Sequence, residues 1–533
     1  MAKFNKVVKT GVQSPVKSTK TALNADFKLG YEREKKSELF LLAVSNFVGQ
    51  DTFYEKAKDR DDRFASLSRE VAIQDPQWFI GFVGWLRNDA FMRSASIVAA
   101  VEGSKALYEA GNGDYHVTNS PWPRAIVAAS QARADEPGEV LAYYQNKYGK
   151  NFPAFLKKGV ADGARKLYNE YSLLKYDTDS KGFRFADVIQ LSHAKAADEK
   201  QNALFSHALD RRYGNVELGE HNYLLDMIST RANLMSAPVE KRKELIGTQA
   251  GMQTLSRAGM TWEALSGWLQ GPMDAKAWTA VIPNMGYMAL LRNLRNFQEA
   301  GISAATLKTV LNKISDPAQV AKSKQFPFRF LAAYQANKGN LKVAAALEEA
   351  LEASLANVPS LSGRTLILVD RSGSMFGYHR TDSELTMADK AAIFGSALAL
   401  RAENADLVQF GSAWRGPAFE KVSYRKGDSL LPMLDKFRDM GGTDTAAAVK
   451  GSFKGHDRVI IITDEQYNGY GGDPLQSIPV GTPVYTWNLE GYRVGQSQSG
   501  SKKRHTFGGL TDKGFQMIPL IEAGQSQKWP WEV

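Results

Sequence analysis

The stretch that decides the fold is Leu366-Ile367-Leu368-Val369-Asp370-Arg371-Ser372-Gly373-Ser374-Met375. A short apolar run of this kind reads as a strand buried in a sheet. It ends in Asp-x-Ser-x-Ser, which places one carboxylate and two hydroxyls in a single loop at the strand's carboxyl end. Hard oxygen ligands of this type suit Mg²⁺ or Mn²⁺. The carboxyl end of a strand is also where open α/β sheets bind their ligands.

Outward from this loop, the pattern after Val358-Pro359 alternates strands with helices. Strands are expected at Thr365–Val369, Ala405–Phe410, Arg458–Thr463 and Pro483–Asn488, and helices at Met387–Arg401, Ser429–Arg438, Asp444–Phe453 and Phe515–Ala523. That order predicts a doubly wound α/β sheet. Before it, from about Glu34 to Ser354, apolar spacing of three to four residues dominates, with Pro and Gly as punctuation. Helix after helix without strands suggests an α-solenoid, but periodicity alone does not separate a solenoid from an irregular bundle. Residues 1–25 carry Lys3, Lys6, Lys9, Lys17 and Lys20 with no acid before Asp26 and read as a flexible basic arm. The expected domains are the arm at 1–25, a helical domain at 26–358 and an α/β domain at 359–533.

A chain of 533 residues predicts two or three domains. Cysteine is absent, which excludes disulfides and thiolate metal sites and fits a reducing, cytoplasmic setting. The opening residues lack an apolar segment of the kind that follows a secretory start, and no apolar run reaches the ~18 residues of a membrane span. Lys and Arg number 67 against 57 Asp and Glu, a net charge of +10. Residues 361–533 hold 20 basic and 19 acidic groups, so nearly all of the excess lies in residues 1–360. A polyanionic partner is therefore expected at the helical part.

Two further loops complete the metal constellation. Gly441-Gly442-Thr443-Asp444 offers the Thr443 hydroxyl, and Asp464 directly follows the strand ending in Thr463. Asp370, Ser372, Ser374, Thr443 and Asp464 would form an incomplete octahedron around Mg²⁺, leaving a position for an acidic partner. This set resembles the metal-ion-dependent adhesion site of von Willebrand factor A domains, over roughly residues 361–533. A hydrolytic enzyme is disfavoured, because two-metal nucleases need clustered carboxylates. The only histidine near the serine-rich loop, His379, reads as a loop residue, and no catalytic residue is assigned.

Four segments of the helical part are distinctive: Val160-Ala161-Asp162-Gly163-Ala164-Arg165-Lys166, Phe185-Ala186-Asp187-Val188-Ile189-Gln190-Leu191-Ser192-His193, Met288-Ala289-Leu290-Leu291-Arg292-Asn293-Leu294 and Phe326-Pro327-Phe328-Arg329. Together they resemble the TROVE module of the Ro ribonucleoprotein autoantigen family, and the order of the two domains matches as well. The resemblance implies a monomeric ring of HEAT-like helical repeats, a toroid, closed by the von Willebrand A domain. It implies small Y RNAs on a basic outer surface and single-stranded 3′ ends of misfolded or structured RNA in a central cavity. It also implies an RNA-tethered exoribonuclease, polynucleotide phosphorylase, as a partner, no membrane, and a bacterial or phage origin. By the same resemblance His193 sits at a Y RNA contact, with Lys175 and Lys181 near two further basic contacts.

From charge and position, Lys157, Lys158, Arg165 and Lys166 are candidate RNA contacts or a solvated face. Arg292, flanked by apolar residues, is a candidate phosphate contact or an inter-repeat ion pair, and Arg87 and Arg93 pose the same choice. The rival reading of the whole chain is a protein-interaction scaffold that works through the metal site.

Overall fold

The structure is a computed structural model. It describes residues 14–532 apart from 46–47, 112–120, 215–221, 338, 378–384, 414–415, 469–472, 501–502 and 524–527. His379 and the lysines at 3, 6 and 9 lie outside the described residues. Two compact units divide the chain. One is helical and comprises Ser68–Gln325 and Ala333–Leu347. The other contains the chain up to Leu67, Phe326–Ala332 and Glu348–Val533.

The α/β unit begins with a hairpin, β1 (Ser18–Leu23) and β2 (Leu29–Arg33). Asn24 makes the turn, because its side-chain oxygen accepts from the backbone N–H of Asp26 at 3.0 Å and of Lys28 at 2.8 Å. β3 (Arg364–Asp370), β4 (Asn404–Phe410), β5 (Phe419–Lys421), β6 (Arg458–Thr463), β7 (Val484–Asn488), β8 (Val494–Gly495) and β9 (Arg504–Gly508) follow. The main sheet has the order β5-β4-β3-β6-β7-β9, parallel throughout except for β5. After β3 the helix Met387–Arg401 leads to β4 on one side, and the chain later returns to β6 on the other. The direction of strand addition reverses at β3, and a crevice opens there at the carboxyl ends. β6 is buried at all positions, as a central parallel strand covered on both faces requires.

The expected flexible arm at 1–25 is corrected from Ser18 onward. β1 pairs with β2, and β2 pairs with β8, in a three-stranded sheet of the α/β unit. Charge counting missed this because a lysine-bearing segment can still pair as a hairpin strand, and the other edge of that hairpin finds its partner only in residues 494–495, far along the chain. The expected boundaries at 26 and 358 shift for the same reason: residues through Leu67, the segment Phe326–Ala332 and residues from Glu348 cluster with the α/β unit.

The helical unit matches the expected class, helices packed on their sequence neighbours. Pro76–Asn88, Arg93–Gly111, Trp122–Ala129, Glu136–Tyr148, Ala154–Leu167, Phe185–Ser192 and Glu199–Tyr213 build its first half. Val101, Val127, Leu141, Leu156, Val160, Val188 and Leu204 form one buried cluster beneath them. The glycine of Val160-Ala161-Asp162-Gly163 is there for packing: a Cβ at Gly163 would lie 2.1 Å from the Gln131 side-chain oxygen. The helix Ala154–Leu167 ends at Leu167, and a new one starts at Glu170 under an Asn169 capping box. The Met288–Leu294 stretch is not one helix: Tyr287–Arg292 and Leu294–Glu299 meet at Asn293.

Candidate metal centre and basic surfaces

Four of the five oxygen-bearing residues read from the sequence, Asp370, Ser372, Ser374 and Asp464, come together at the carboxyl ends of β3 and β6, and the loop that carries Thr443 is tied to them. Asp370 closes β3 and Asp464 follows β6, and both are fully buried. Asp370 Oδ1 accepts from the Ser372 N–H at 2.9 Å, and Oδ2 from the Thr463 hydroxyl at 2.6 Å. The Ser372 and Ser374 hydroxyls lie 3.2 Å apart. The loop of Thr443 is tied in from both sides. Gly373 N–H donates to the Gly441 carbonyl, and Asn468 exchanges hydrogen bonds with the Thr443 backbone at 3.2 Å each.

Burial raises the pKa of Asp370 against the hydrogen bonds from Thr463 and Ser372 that favour its charge. Burial and then the neighbouring charge of Asp370 push Asp464 well above the carboxylate range. Asp464 Oδ2 is buried without a hydrogen-bond partner. A lone buried carboxylate oxygen is costly, and a cation bound between it and Asp370 would remove the cost. The donor set of two carboxylates and three hydroxyls therefore fits a hard divalent ion. Among the described residues no cluster of three or more His, Cys, Asp or Glu exists, so the site is hydroxyl-rich.

Neighbouring charges hold the loop in shape. Arg371 is buried, donates to the Ala388 carbonyl at 2.5 Å and lies 4.8 Å from the Phe376 ring centroid. Glu465 sits in the left-handed region at φ 62° and pairs with Arg33 of β2 at 2.7 Å, both side chains being 1% exposed. Arg33 also donates to the Ser497 carbonyl at 3.0 Å. Neither Glu465 nor Arg33 stands out in the sequence, because the two are joined only by the fold. The strained position beside the carboxylate is held by this buried pair.

The basic residues divide. His193 is exposed and caps Phe185–Ser192 in the left-handed region at φ 53°. Lys158, Arg165 and Lys166 are exposed, and Lys157 is half-buried. Lys175 lies over the rings of Tyr171 and Tyr176, 5.6 and 5.2 Å from their centroids. Lys181 pairs with Glu139 at 3.5 Å. Arg87 and Arg93 converge on buried Glu136, at 2.7 and 3.1 Å, which gives both a structural partner. Arg292 is exposed at the end of Tyr287–Arg292, not buried among the apolar residues that flank it in sequence.

The sequence of the helical unit also holds a contrast in charge. Residues 68–226 carry 19 Lys and Arg against 20 Asp and Glu, whereas the rest of the helical unit, 227–325 with 333–347, carries 14 against 6. In this second half Lys241, Lys276, Arg292, Lys308 and Lys322 are exposed and form no ion pair among the described residues. The run Lys241-Arg242-Lys243 was the signal that could have found it.

Residues 130–358 match the TROVE domain family model. The chain is similar in sequence to a Ro protein. It is 25% identical over 306 residues to RNA-binding protein RO60 of Deinococcus radiodurans, covering 54% of each chain. It is 41% identical over 90 residues to telomerase protein component 1 of Mus musculus, 16% of this chain and 3% of that protein. The match thus spans about half the length of the bacterial relative and a small part of the mammalian one. The crystal structure of the Deinococcus radiodurans Ro protein shares its fold at a TM-score of 0.60 and 18% identity, over 92% of this chain and all of that one.

Proposed function

We propose that this protein binds RNA through exposed cations of its helical unit and catalyses no reaction. The observation that carries the reading is the second half of that unit, where 14 basic groups face 6 acidic ones and Lys241, Lys276, Arg292, Lys308 and Lys322 stand unpaired among the described residues. Such cations hold phosphates and release counterions, so affinity should fall steeply with salt. The TROVE match and the name of the bacterial relative support an RNA ligand.

The finer reading is a cytoplasmic RNA quality-control protein. It binds a Y RNA near His193, Lys175 and Lys181 and takes up single-stranded 3′ ends of misfolded RNA. Through the Y RNA it serves as an adaptor for polynucleotide phosphorylase. The test is fluorescence anisotropy with a duplex carrying a 3′ single-stranded tail and with the blunt duplex. Tighter binding of the tailed duplex, without cleavage of either, is expected. Equal affinity, or cleavage by the pure protein with Mg²⁺, overturns it.

Asp370, Ser372, Ser374, Thr443 and Asp464 would hold Mg²⁺ or Mn²⁺, and the orphaned Asp464 Oδ2 supports this. A bound ion supplies an electrophilic docking point for a carboxylate, which is the basis of the second reading, a protein-interaction scaffold. In a thermal melt Mg²⁺ should raise the Tm of the parent protein and leave Asp370→Ala unmoved. RNA affinity retained in Asp370→Ala favours the first reading over the second.

A further inference from the structure

Ser374 of the metal loop also lines a cavity of about 850 Å³, which neither reading of the function uses. The cavity lies inside the α/β unit, between residues 50–56, the Phe328–Ala332 segment and the chain that follows Ser374. Its volume is within the range of sites that bury a small ligand, roughly 300–1,000 Å³, and holds a short peptide segment. Ser374 and Phe376 belong to the same turn, Gly373–Phe376, so the metal loop and the cavity wall are one short piece of chain.

The charged groups of the lining are engaged. Buried Lys390 and buried Glu490 each favour the other's charged form, and Arg60 lies 4.0 Å from Glu490 as well. Asp51 pairs with Lys56 at 3.5 Å. Arg329 lies over the Phe328 ring, 5.4 Å from its centroid, and has further partners. What the wall offers a ligand is apolar surface. Phe53, Phe376, Leu385 and Met387 line the cavity and are only half-buried. Covering such side chains in a concave space is favourable, and an aromatic ring covers the most area. The charge that would draw an anion to this wall is that of the ion at Ser374, with its open position for a carboxylate. A ligand with one carboxylate beside bulky apolar groups complements both features.

We infer that this cavity receives a peptide segment of a partner protein in which aromatic or bulky aliphatic residues flank an acidic one. The carboxylate sits on the ion at Ser374, and the apolar side chains lie against Phe53, Phe376, Leu385 and Met387. The inference rests on the metal-dependent scaffold reading and adds to it the kind of sequence the scaffold selects. It does not depend on the RNA reading.

Equilibrium dialysis of the full-length protein with Mg²⁺ tests it, against the acetylated and amidated peptides Trp-Asp-Trp, Gly-Asp-Gly and Trp-Asn-Trp. Trp-Asp-Trp should bind about tenfold or more tightly than either of the others, because the buried rings and the metal-bound carboxylate each add affinity. EDTA should remove its advantage over Trp-Asn-Trp. Ala332→Phe, which fills the cavity, and Phe53→Ala, which strips its wall, should each bring Trp-Asp-Trp toward the level of Gly-Asp-Gly. Both variants should keep the rise in Tm that Mg²⁺ gives, the sign of an intact metal loop. Trp-Asp-Trp no tighter than Gly-Asp-Gly, with both ahead of Trp-Asn-Trp, overturns the cavity inference and leaves the scaffold reading standing. Equal binding of Trp-Asp-Trp and Trp-Asn-Trp, with or without Mg²⁺, removes the scaffold reading and the inference with it. Trp-Asp-Trp binding unchanged in both variants puts the peptide elsewhere and also overturns the inference.

Discussion

The two halves of the helical unit use the same cationic side chains for opposite ends. In residues 68–226 the guanidiniums are mostly spoken for: Arg87 and Arg93 by Glu136, Arg124 by Asp162, Arg133 by Asp135, Arg184 by Asp177. In the second half the basic groups outnumber the acids by 14 to 6, and several point into solvent without a partner among the described residues. Charge in the first half holds helices together. Charge in the second is left for something outside the chain.

The largest effect that could break this contrast is at Glu136. Its carboxylate is fully buried and accepts from the Ala132 and Arg133 N–H groups as well as from Arg87 and Arg93. Glu136→Ala should cost about 3–5 kcal/mol in urea unfolding, because two guanidiniums and two backbone donors lose their acceptor. A cost below about 1 kcal/mol would mean that the first-half pairs are ornamental and that the contrast is false.

Next comes the second-half surface. Replacing Lys241, Lys276, Arg292, Lys308 and Lys322 together by Gln should lower RNA affinity on the order of a hundredfold at low salt and flatten the salt slope, with little change in Tm. The matching replacement of Lys157, Lys158, Arg165 and Lys166 should weaken binding by a smaller factor. If the order is reversed, the RNA surface lies in the first half.

His193→Asn should reduce Y RNA binding several-fold and leave stability intact, because Asn tolerates the left-handed φ of 53° that the helix cap demands. The smallest effect concerns acid. Asp135 is pulled below the usual carboxylate range, since Arg133 and Arg93 outweigh the opposing effect of burial. A carboxylate with a depressed folded pKa adds stability above its unfolded value of about 4 and loses it as pH falls through the folded one. Asp135→Asn should therefore make the acid limb of the stability curve shallower below about pH 4. An unchanged limb would remove Asp135 from the network.

Much of the α/β unit was legible locally. The expected strand Arg458–Thr463 is β6 to the residue, and the other three expected strands fall within a residue or two of β3, β4 and β7. Their apolar continuity comes from burial on both faces, which is written in composition. β1, β2, β5, β8 and β9 are not legible there. Arg504–Gly508 is polar in sequence and buried only because neighbouring elements cover it. The expected helix Ser429–Arg438 shortens to Leu430–Leu434. In the helical unit, helix existence followed from apolar spacing, whereas breaks at Tyr168 and Asn293 depended on caps and packing.

The sequence by itself determined the ligand chemistry of the metal loop, the doubly wound order and the positive balance of the helical part, because side-chain type, short-range periodicity and charge are local properties. Only the tertiary structure decided which cations are consumed by partners, that Arg33 of the N-terminal hairpin braces the Glu465 turn, and that Phe328, Arg329 and Lys390 share a cavity. Those facts depend on pairs far apart in the chain, joined by burial and backbone pairing that no local stretch encodes.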